Sequence, residues 1–208
     1  MRFFYLTYRK LLQLLILKPI ITNRPDKFEI IGNDYGFMIV PKGLLNNHSN
    51  VLSFGVGEDM EAEIDLVDKY NSNVFLFDPT ELSVKYYNET IEMLKNNNKM
   101  GVVNKFKFEP IALWNNDGFV KFYKPKEEGH VSHSINNIES SNNFTEVVCK
   151  KMSSILKKYN LLKIDYVKLD IEGAEFDVVK NIIEDKIEFK SIYLELHYNK
   201  KINLYKNV

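Results

Sequence analysis

The sequence predicts an α/β fold, a mostly parallel sheet with helices on both faces. Two observations carry this expectation. From residue 50 onward, short apolar strand segments alternate with segments of helical period, the pattern of βαβ crossovers. The residues able to do chemistry fall just beyond those strands, at the one sheet edge where ligands bind in such folds. At 208 residues the chain has the length of one domain with a short appendage, and it contains no internal repeat. Residues 1–49 read as an N-terminal helix and β lead-in, and 50–208 as the main domain.

The opening segment MRFFYLTYRKLLQLLILKPI is apolar but interrupted by Arg9 and Lys10. A spanning helix needs about 20 apolar residues, and no small-residue cleavage site follows. Residues 1–20 therefore read as a helix covered by the fold or by a partner. Weak contact with a membrane surface is the alternative, since aromatic and basic residues together suit a headgroup region. Phe28 to Ile31, a turn at Gly32-Asn33-Asp34, and Tyr35 to Val40 predict a small β-hairpin.

The main domain opens with the strand Val51-Leu52-Ser53-Phe54, the turn Gly55-Val56-Gly57, and a helix from about Glu58 with Ile64, Val67 and Tyr70 on one side. Glu58, Asp59 and Glu61 then fall in the first turn, at the positive end of the helix dipole. A second strand, Val74 to Phe77, ends at Asp78-Pro79, and a helix follows from about Glu81 to Lys95. Phe106 to Leu113 reads as a third strand with its exit loop, and Phe119 to Tyr123 as another strand. Residues 125–143 are polar and predict a long loop, which is either functional or a disordered polar surface segment. Helical spacing returns at Met152, Ile155, Leu156, Tyr159 and Leu162, followed by the strand Tyr166 to Asp170, a helix from Gly173 to Ile183, and a last strand from Ser191 to His197.

Composition excludes several classes. Lys+Arg and Asp+Glu are both 28, and this balance argues against a nucleic-acid binder. The single cysteine, Cys149, excludes a disulfide framework and a cysteine-based zinc site within this sequence, and fits a reducing compartment. The expected location is cytoplasmic, or peripheral to the inner membrane face if residues 1–20 touch lipid. Oligomeric state is not legible.

Gly55 and Gly57 let a ligand approach the backbone before a helix. Asp78 ends the second strand about 20 residues on, where an acid can accept hydrogen bonds from ribose hydroxyls. The third glycine of a dinucleotide fingerprint would fall at Met60, which disfavours a pyrophosphate. A nucleoside without phosphates fits better, and the acidic turn at Glu58 and Asp59 suits a cationic sulfonium. S-adenosyl-L-methionine meets both conditions.

These segments carry a resemblance. VLSFGVGEDMEAEIDL, VFLFDPT, PIALWNNDGFVKFY, VKLDIEGAEFDVVKNII and IYLELH, in this order, resemble the FkbM family of S-adenosylmethionine-dependent methyltransferases. The resemblance implies a Rossmann-like class I methyltransferase sheet over residues 50–208. It also implies methyl transfer to a hydroxyl of a sugar, glycan or other small acceptor. Carried over by position, Gly55, Val56, Gly57 and Glu58 would line the methionine and ribose side of the donor, Asp78 and Pro79 the ribose, and Ala112 and Leu113 the adenine. Asp170 and Glu172 would face the reaction centre. Ser53 stands where many members carry an acid, and the fifth strand lies close to Val208, where the fold ordinarily continues with a helix and an antiparallel strand pair. Either the sequence is a piece, or the hairpin or a partner closes the sheet.

Asp170 and Glu172, spaced by two, point to one side if the strand runs through both. They are candidates for orienting or deprotonating the acceptor, with helix capping as the alternative. Glu195 and His197 repeat the spacing. His197 is a candidate general base, or a structural histidine. Asp170, Glu172 and His197 also have the composition of a hard-metal site, though no metal is assigned. Glu195 and the loop residues Ser132, His133 and Ser134 are candidates for acceptor contact, and Trp114 for the core or rim. A nicotinamide-dependent oxidoreductase and a non-catalytic nucleoside-binding module are the alternative readings.

Overall fold

The computed structural model describes residues 25–123, 135 and 142–197. The expectations for residues 1–20, and for Ser132, His133 and Ser134, lie outside the described residues. No described helix is long and apolar enough to cross a membrane.

The main sheet has five strands: β3 (Asn50–Phe54), β4 (Asn73–Phe77), β5 (Phe106–Glu109), β9 (Ile164–Leu169) and β10 (Phe189–Leu194). Their order is β10-β9-β3-β4-β5, all parallel. Strand order reverses between β3 and β9, so the crevice beyond their carboxyl ends is the place where ligands bind in open parallel sheets. Helices α1 (Glu61–Tyr70), α2 (Glu81–Asn96), α3 (Met100–Val103), α4 (Met152–Tyr159) and α5 (Glu175–Glu184) cover the two faces.

The two-residue period of the strands sorts their side chains cleanly. Val51, Val74, Leu76 and Tyr166 point to one face and pack with Leu66 and Val67 of α1 and Ile91 and Leu94 of α2. Leu52, Phe54, Phe75, Phe77, Val167 and Leu169 point to the other, against Met152 and Ile155 of α4 and Val178 and Ile182 of α5. Because both faces are covered, every one of these strand positions is apolar and buried. Phe54 and Phe77 add a stacked pair with centroids 4.7 Å apart.

The hairpin is β1 (Phe28–Gly32) with β2 (Phe37–Pro41), antiparallel as expected. It forms its own sheet and covers a face of the main sheet, not an edge. Ile31, Met38 and Val40 join the same buried cluster as Leu66 and Tyr166. The Tyr166 hydroxyl donates to the Ile39 carbonyl at 2.9 Å, and Phe37 packs against Tyr193 of β10. Glu29 takes hydrogen bonds from Lys69 and Tyr70 of α1. Gly32 has a φ of +101°, and a Cβ there would lie 2.4 Å from the Gly36 carbonyl and 2.8 Å from Ala62, so the hairpin seats tightly on α1.

Several elements differ from expectation. Residues 106–113 are two strands, not one: Pro110 interrupts pairing, and β6 (Ala112–Leu113) joins a separate small sheet of order β6-β8-β7 with β7 (Gly118–Tyr123) and β8 (Phe144–Lys150). α1 begins at Glu61, so Glu58 and Asp59 precede it, and the Asp59 carboxylate accepts from Glu61 N at 2.8 Å. Its buried stripe is Ala62, Glu63, Leu66 and Val67, one step round from the stripe expected. β9 ends at Leu169 and β10 at Leu194, so Asp170, Glu172, Glu195 and His197 all lie beyond the strand ends.

The ends of β3 and β9 nearly touch. Asp170 N donates to Phe54 O, and Gly55 N to Phe77 O, both at 3.0 Å. Gly55 has a φ of +84°, and a Cβ there would sit 1.7 Å from the Asp170 carbonyl oxygen. Gly43 also has a positive φ, +75°, but a Cβ there meets nothing within 4 Å. Urea denaturation should therefore separate the two. Gly43→Ala should cost about 1–2 kcal/mol, the price of the left-handed backbone alone, and Gly55→Ala more than about 3 kcal/mol, because two strand ends must move apart. Equal costs would show that the strand ends are not in contact.

Candidate active site

The first wall of the site is the turn after β3. Val56 N and Gly57 N both donate to Oδ2 of Asp78 at 3.0 Å. Oδ1 of Asp78 accepts from Thr80 N at 2.9 Å and from the Thr80 hydroxyl at 2.6 Å. Thr80 caps α2 through Ser83 N, and the Ser83 hydroxyl returns to the Gly57 carbonyl at 2.9 Å. Asp78, 6% exposed, thus meets four protein donors, about the full acceptor capacity of a carboxylate. The position expected to meet ribose also shapes the glycine turn, because the short aspartate side chain reaches the turn's own N–H groups. Gly57, with φ +60°, presents a face on which a Cβ would meet nothing within 4 Å.

This turn borders a cavity of about 220 Å³ beyond the carboxyl ends of β3, β4 and β9. Gly55, Val56, Gly57, Glu58, Asp78 and Pro79 line one side, and Ala112 and Leu113 of β6 supply an apolar wall with Ile111. Asp170, Glu172 and Glu195 line the far side. The residues expected to share one site on these elements are therefore brought together. His197 is set behind that far side, in contact with Asp170 and Glu172. Trp114 is partly buried against the core. Cys149 is fully buried and donates to the Asn116 carbonyl at 3.3 Å. An open depression on α2, bordered by Asn88, Glu92 and Met93, lies apart from this edge and gathers no cluster of catalytic side chains.

The structure adds residues that sequence reasoning missed. The hairpin turn, Asp34 to Phe37, forms part of the cavity wall. Asn33 holds it there: its Oδ1 accepts from Tyr35 N and Gly36 N, and its Nδ2 donates to Asp59 at 3.0 Å and Glu61 at 2.5 Å. Ile135, inside the segment read as a polar loop, is buried and lines the cavity.

Lys168 is the most consequential addition. Its side chain is only 12% exposed, and Nζ donates to the Gly55 carbonyl at 2.9 Å. Nζ lies 3.8 Å from Glu63 Oε1 and 4.0 Å from Asp170 Oδ2. Burial works to lower the Lys168 pKa, but the carboxylates of Glu63, Asp170, Glu195 and Asp78 outweigh it, so the value is raised and the side chain stays charged. Ser53, in register with Lys168, donates to Glu63 Oε1 at 2.7 Å. A carboxylate from the neighbouring helix thus stands beside Ser53.

The last group is the turn after β9. Glu172 has a φ of +52° and Gly173 of +94°, so the chain doubles back immediately beyond the strand. Oδ1 of Asp170 and Oε2 of Glu172 lie 3.6 and 3.3 Å from Nε2 of His197. The two carboxylates converge through this turn, not through a shared strand face. The N–H groups of this turn are met by Glu175: its Oε1 accepts from Ile171 N at 3.2 Å and Gly173 N at 3.1 Å, and lies 2.9 Å from His197 Nδ1. Burial works to lower the His197 pKa, but the Glu175 hydrogen bond and the charges of Glu172 and Asp170 prevail, raising it to about 9. The expected near-neutral base is therefore an imidazolium at pH 7, held by three carboxylates.

No curated protein matches the chain. A solved structure of methyltransferase FkbM from Methylobacillus flagellatus KT aligns with a TM-score of 0.46 at 13% identity, over 71% of this chain and 34% of that one. The chain thus spans about a third of that neighbour's length. The methyltransferase FkbM domain family matches residues 32–204, which covers the hairpin turn, the glycine turn, the Asp170–Glu175 turn and His197. The match takes in most of the chain, and the chain belongs to that family.

Proposed function

We propose that this chain is an S-adenosyl-L-methionine-dependent O-methyltransferase acting on a hydroxyl of a sugar-type or other small polar acceptor. The family supports methyl transfer. The observation that carries the donor is the cavity itself. Its described lining sets Glu58, Asp59, Glu63, Asp170, Glu172 and Glu195 against one cation, Lys168. Such a lining favours a positively charged ligand and repels phosphate. Met60 is fully buried where a dinucleotide site needs its third glycine, which speaks against nicotinamide cofactors.

When bound, S-adenosyl-L-methionine supplies a methyl group on sulfur, transferred in line to the acceptor oxygen as the carbon–sulfur electron pair returns to sulfur. The chain's own tasks are alignment and exclusion of water. Gly57 opens the backbone to the donor, while Asp78 and Thr80 fix that turn. Ala112 and Leu113 offer adenine an apolar wall. The hairpin turn and Ile135 narrow the cavity against solvent. Glu172 and Asp170 orient the acceptor hydroxyl and accept its proton, which passes on to water. His197, protonated at pH 7 when no ion is bound, holds these two carboxylates in place and is not the base. Glu195, with Ser132, His133 and Ser134 of the long segment, is assigned to the acceptor.

Thermal-shift measurement tests the donor. S-adenosylhomocysteine should raise the melting temperature and NAD should not. A shift with NAD alone, or with neither, removes the donor assignment. Once an acceptor is found, Glu172→Gln should lower kcat by roughly 100-fold while S-adenosylhomocysteine affinity stays within about threefold. Full activity of that variant discards the role.

The state of His197 has its own test. A group whose folded pKa lies above its ordinary 6.5 contributes stability that is complete below pH 6.5 and lost as pH rises through about 9. With a chelator present, the urea midpoint of the wild type should fall across that window, and His197→Gln should flatten the profile. A flat wild-type profile would show that the imidazole is not held as a cation.

A further inference from the structure

The turn after β9 and the residue beyond β10 carry an inference that concerns a metal ion. We propose that Asp170, Glu172 and His197 bind a divalent cation of the Mn²⁺ type beside the donor cavity. One donor atom from each of these residues lies within 4.8 Å of the others. On a six-coordinate ion with bonds of about 2.1–2.4 Å, neighbouring ligand atoms stand about 3.0–3.4 Å apart and opposite ones about 4.2–4.8 Å. His197 Nε2 stands 3.3 Å from Glu172 Oε2 and 3.6 Å from Asp170 Oδ1, close to the spacing of neighbouring ligands.

The other side of the imidazole is built differently. Nδ1 meets Glu175 Oε1 at 2.9 Å, an ordinary hydrogen-bond distance. Metal-ligating imidazoles characteristically give this second N–H to a carboxylate, which fixes the ring and turns the remaining lone pair toward the ion. Glu175 suits that task because it is fully buried and its Oε1 is locked by Ile171 N and Gly173 N. Its Oε2 is buried and has no hydrogen-bond partner among the described residues, so the cluster holds more negative charge than its hydrogen bonds satisfy. A divalent ion with a neutral imidazole lowers the excess left by three carboxylates and one imidazolium by one charge. A proton on Nε2 competes for the same lone pair, and the ion displaces it.

Two carboxylate oxygens and one imidazole nitrogen suit an ion between the hard Mg²⁺ and the softer Zn²⁺, with positions left for water or substrate oxygens. Asp170 and Glu172, each 27% exposed at the side chain, and His197 at 14%, leave an entry path. The consequence for catalysis rests on the methyl-transfer reading: an acceptor hydroxyl bound to this ion is oriented and made more acidic. The ion site itself does not rest on that reading.

The test titrates Mn²⁺ into the chelator-stripped full chain, with no methyl donor, and follows the electron paramagnetic resonance signal of free Mn²⁺. One ion should bind per chain. Glu172→Gln and His197→Gln should each weaken binding at least tenfold, and Glu175→Gln, which removes only the supporting charge, by roughly 10-fold to 100-fold. Circular dichroism checks that each variant is folded, and Glu172→Gln, in a partly exposed turn, decides the matter if the others are not. No binding at millimolar Mn²⁺, or binding indifferent to Glu172→Gln, overturns the proposal. Mn²⁺ binding without an S-adenosylhomocysteine shift keeps the ion and discards the donor; the converse keeps the donor and discards the ion.

Discussion

The site depends on one buried cation. Lys168 stands on a central strand among apolar neighbours, and an unpaired ammonium there would be very costly. It is stabilised only where the Gly55 carbonyl, Glu63 and Asp170 converge on it. That requirement couples three elements: the turn after β3, the helix that follows it, and the turn after β9. The same convergence brings Gly55 against the Asp170 carbonyl with no room for a Cβ. A charge that must be neutralised and a glycine that must be a glycine thus define the same point in space. Removing one partner would leave the others uncompensated, the situation in which buried charge is most destabilising.

The hairpin belongs to this arrangement more closely than its place in the chain suggests. Met38 and Val40 are fully buried in the cluster that also holds Tyr166 of the central sheet. The turn between the two strands is fastened by Asn33 to the acidic segment ahead of α1 and forms part of the cavity wall. Residues 28–41 therefore share their core and their cavity with the residues that follow.

Much of the sheet was legible in the sequence because parallel strands covered on both faces read as continuous apolar runs. Val51 to Phe54, Val74 to Phe77 and Tyr166 to Leu169 are of that kind. β8 was missed because most of its side chains are exposed, and its Thr145, Val147 and Val148 are outweighed by the polar stretch before it. The edge at which the site assembles was legible, since topology alone decides it. The roles were less so. Spacing suggested that Asp170 and Glu172 share a strand face, but the strand ends one residue earlier and a left-handed residue does the work. A lysine inside an apolar strand, Lys168, was the signal that could have revealed the charged centre. Glu175 was hidden for a different reason: its importance lies in reaching back to Ile171, Gly173 and forward to His197, which no linear pattern displays.

The pairing of β3 with β9 matches Val51 to Tyr166, residues far apart in the chain. Nucleating such a strand pair requires a long loop to close before any contact rewards it, which is the circumstance that slows folding. The hairpin, α1 and β4 can form from local segments, whereas the crevice exists only after the distant half arrives. Nascent chains leaving the ribosome will therefore carry an apolar, half-covered sheet until β9 and β10 are synthesised and docked. The crevice is thus among the last features of the fold to form, because it exists only once β9 lies beside β3.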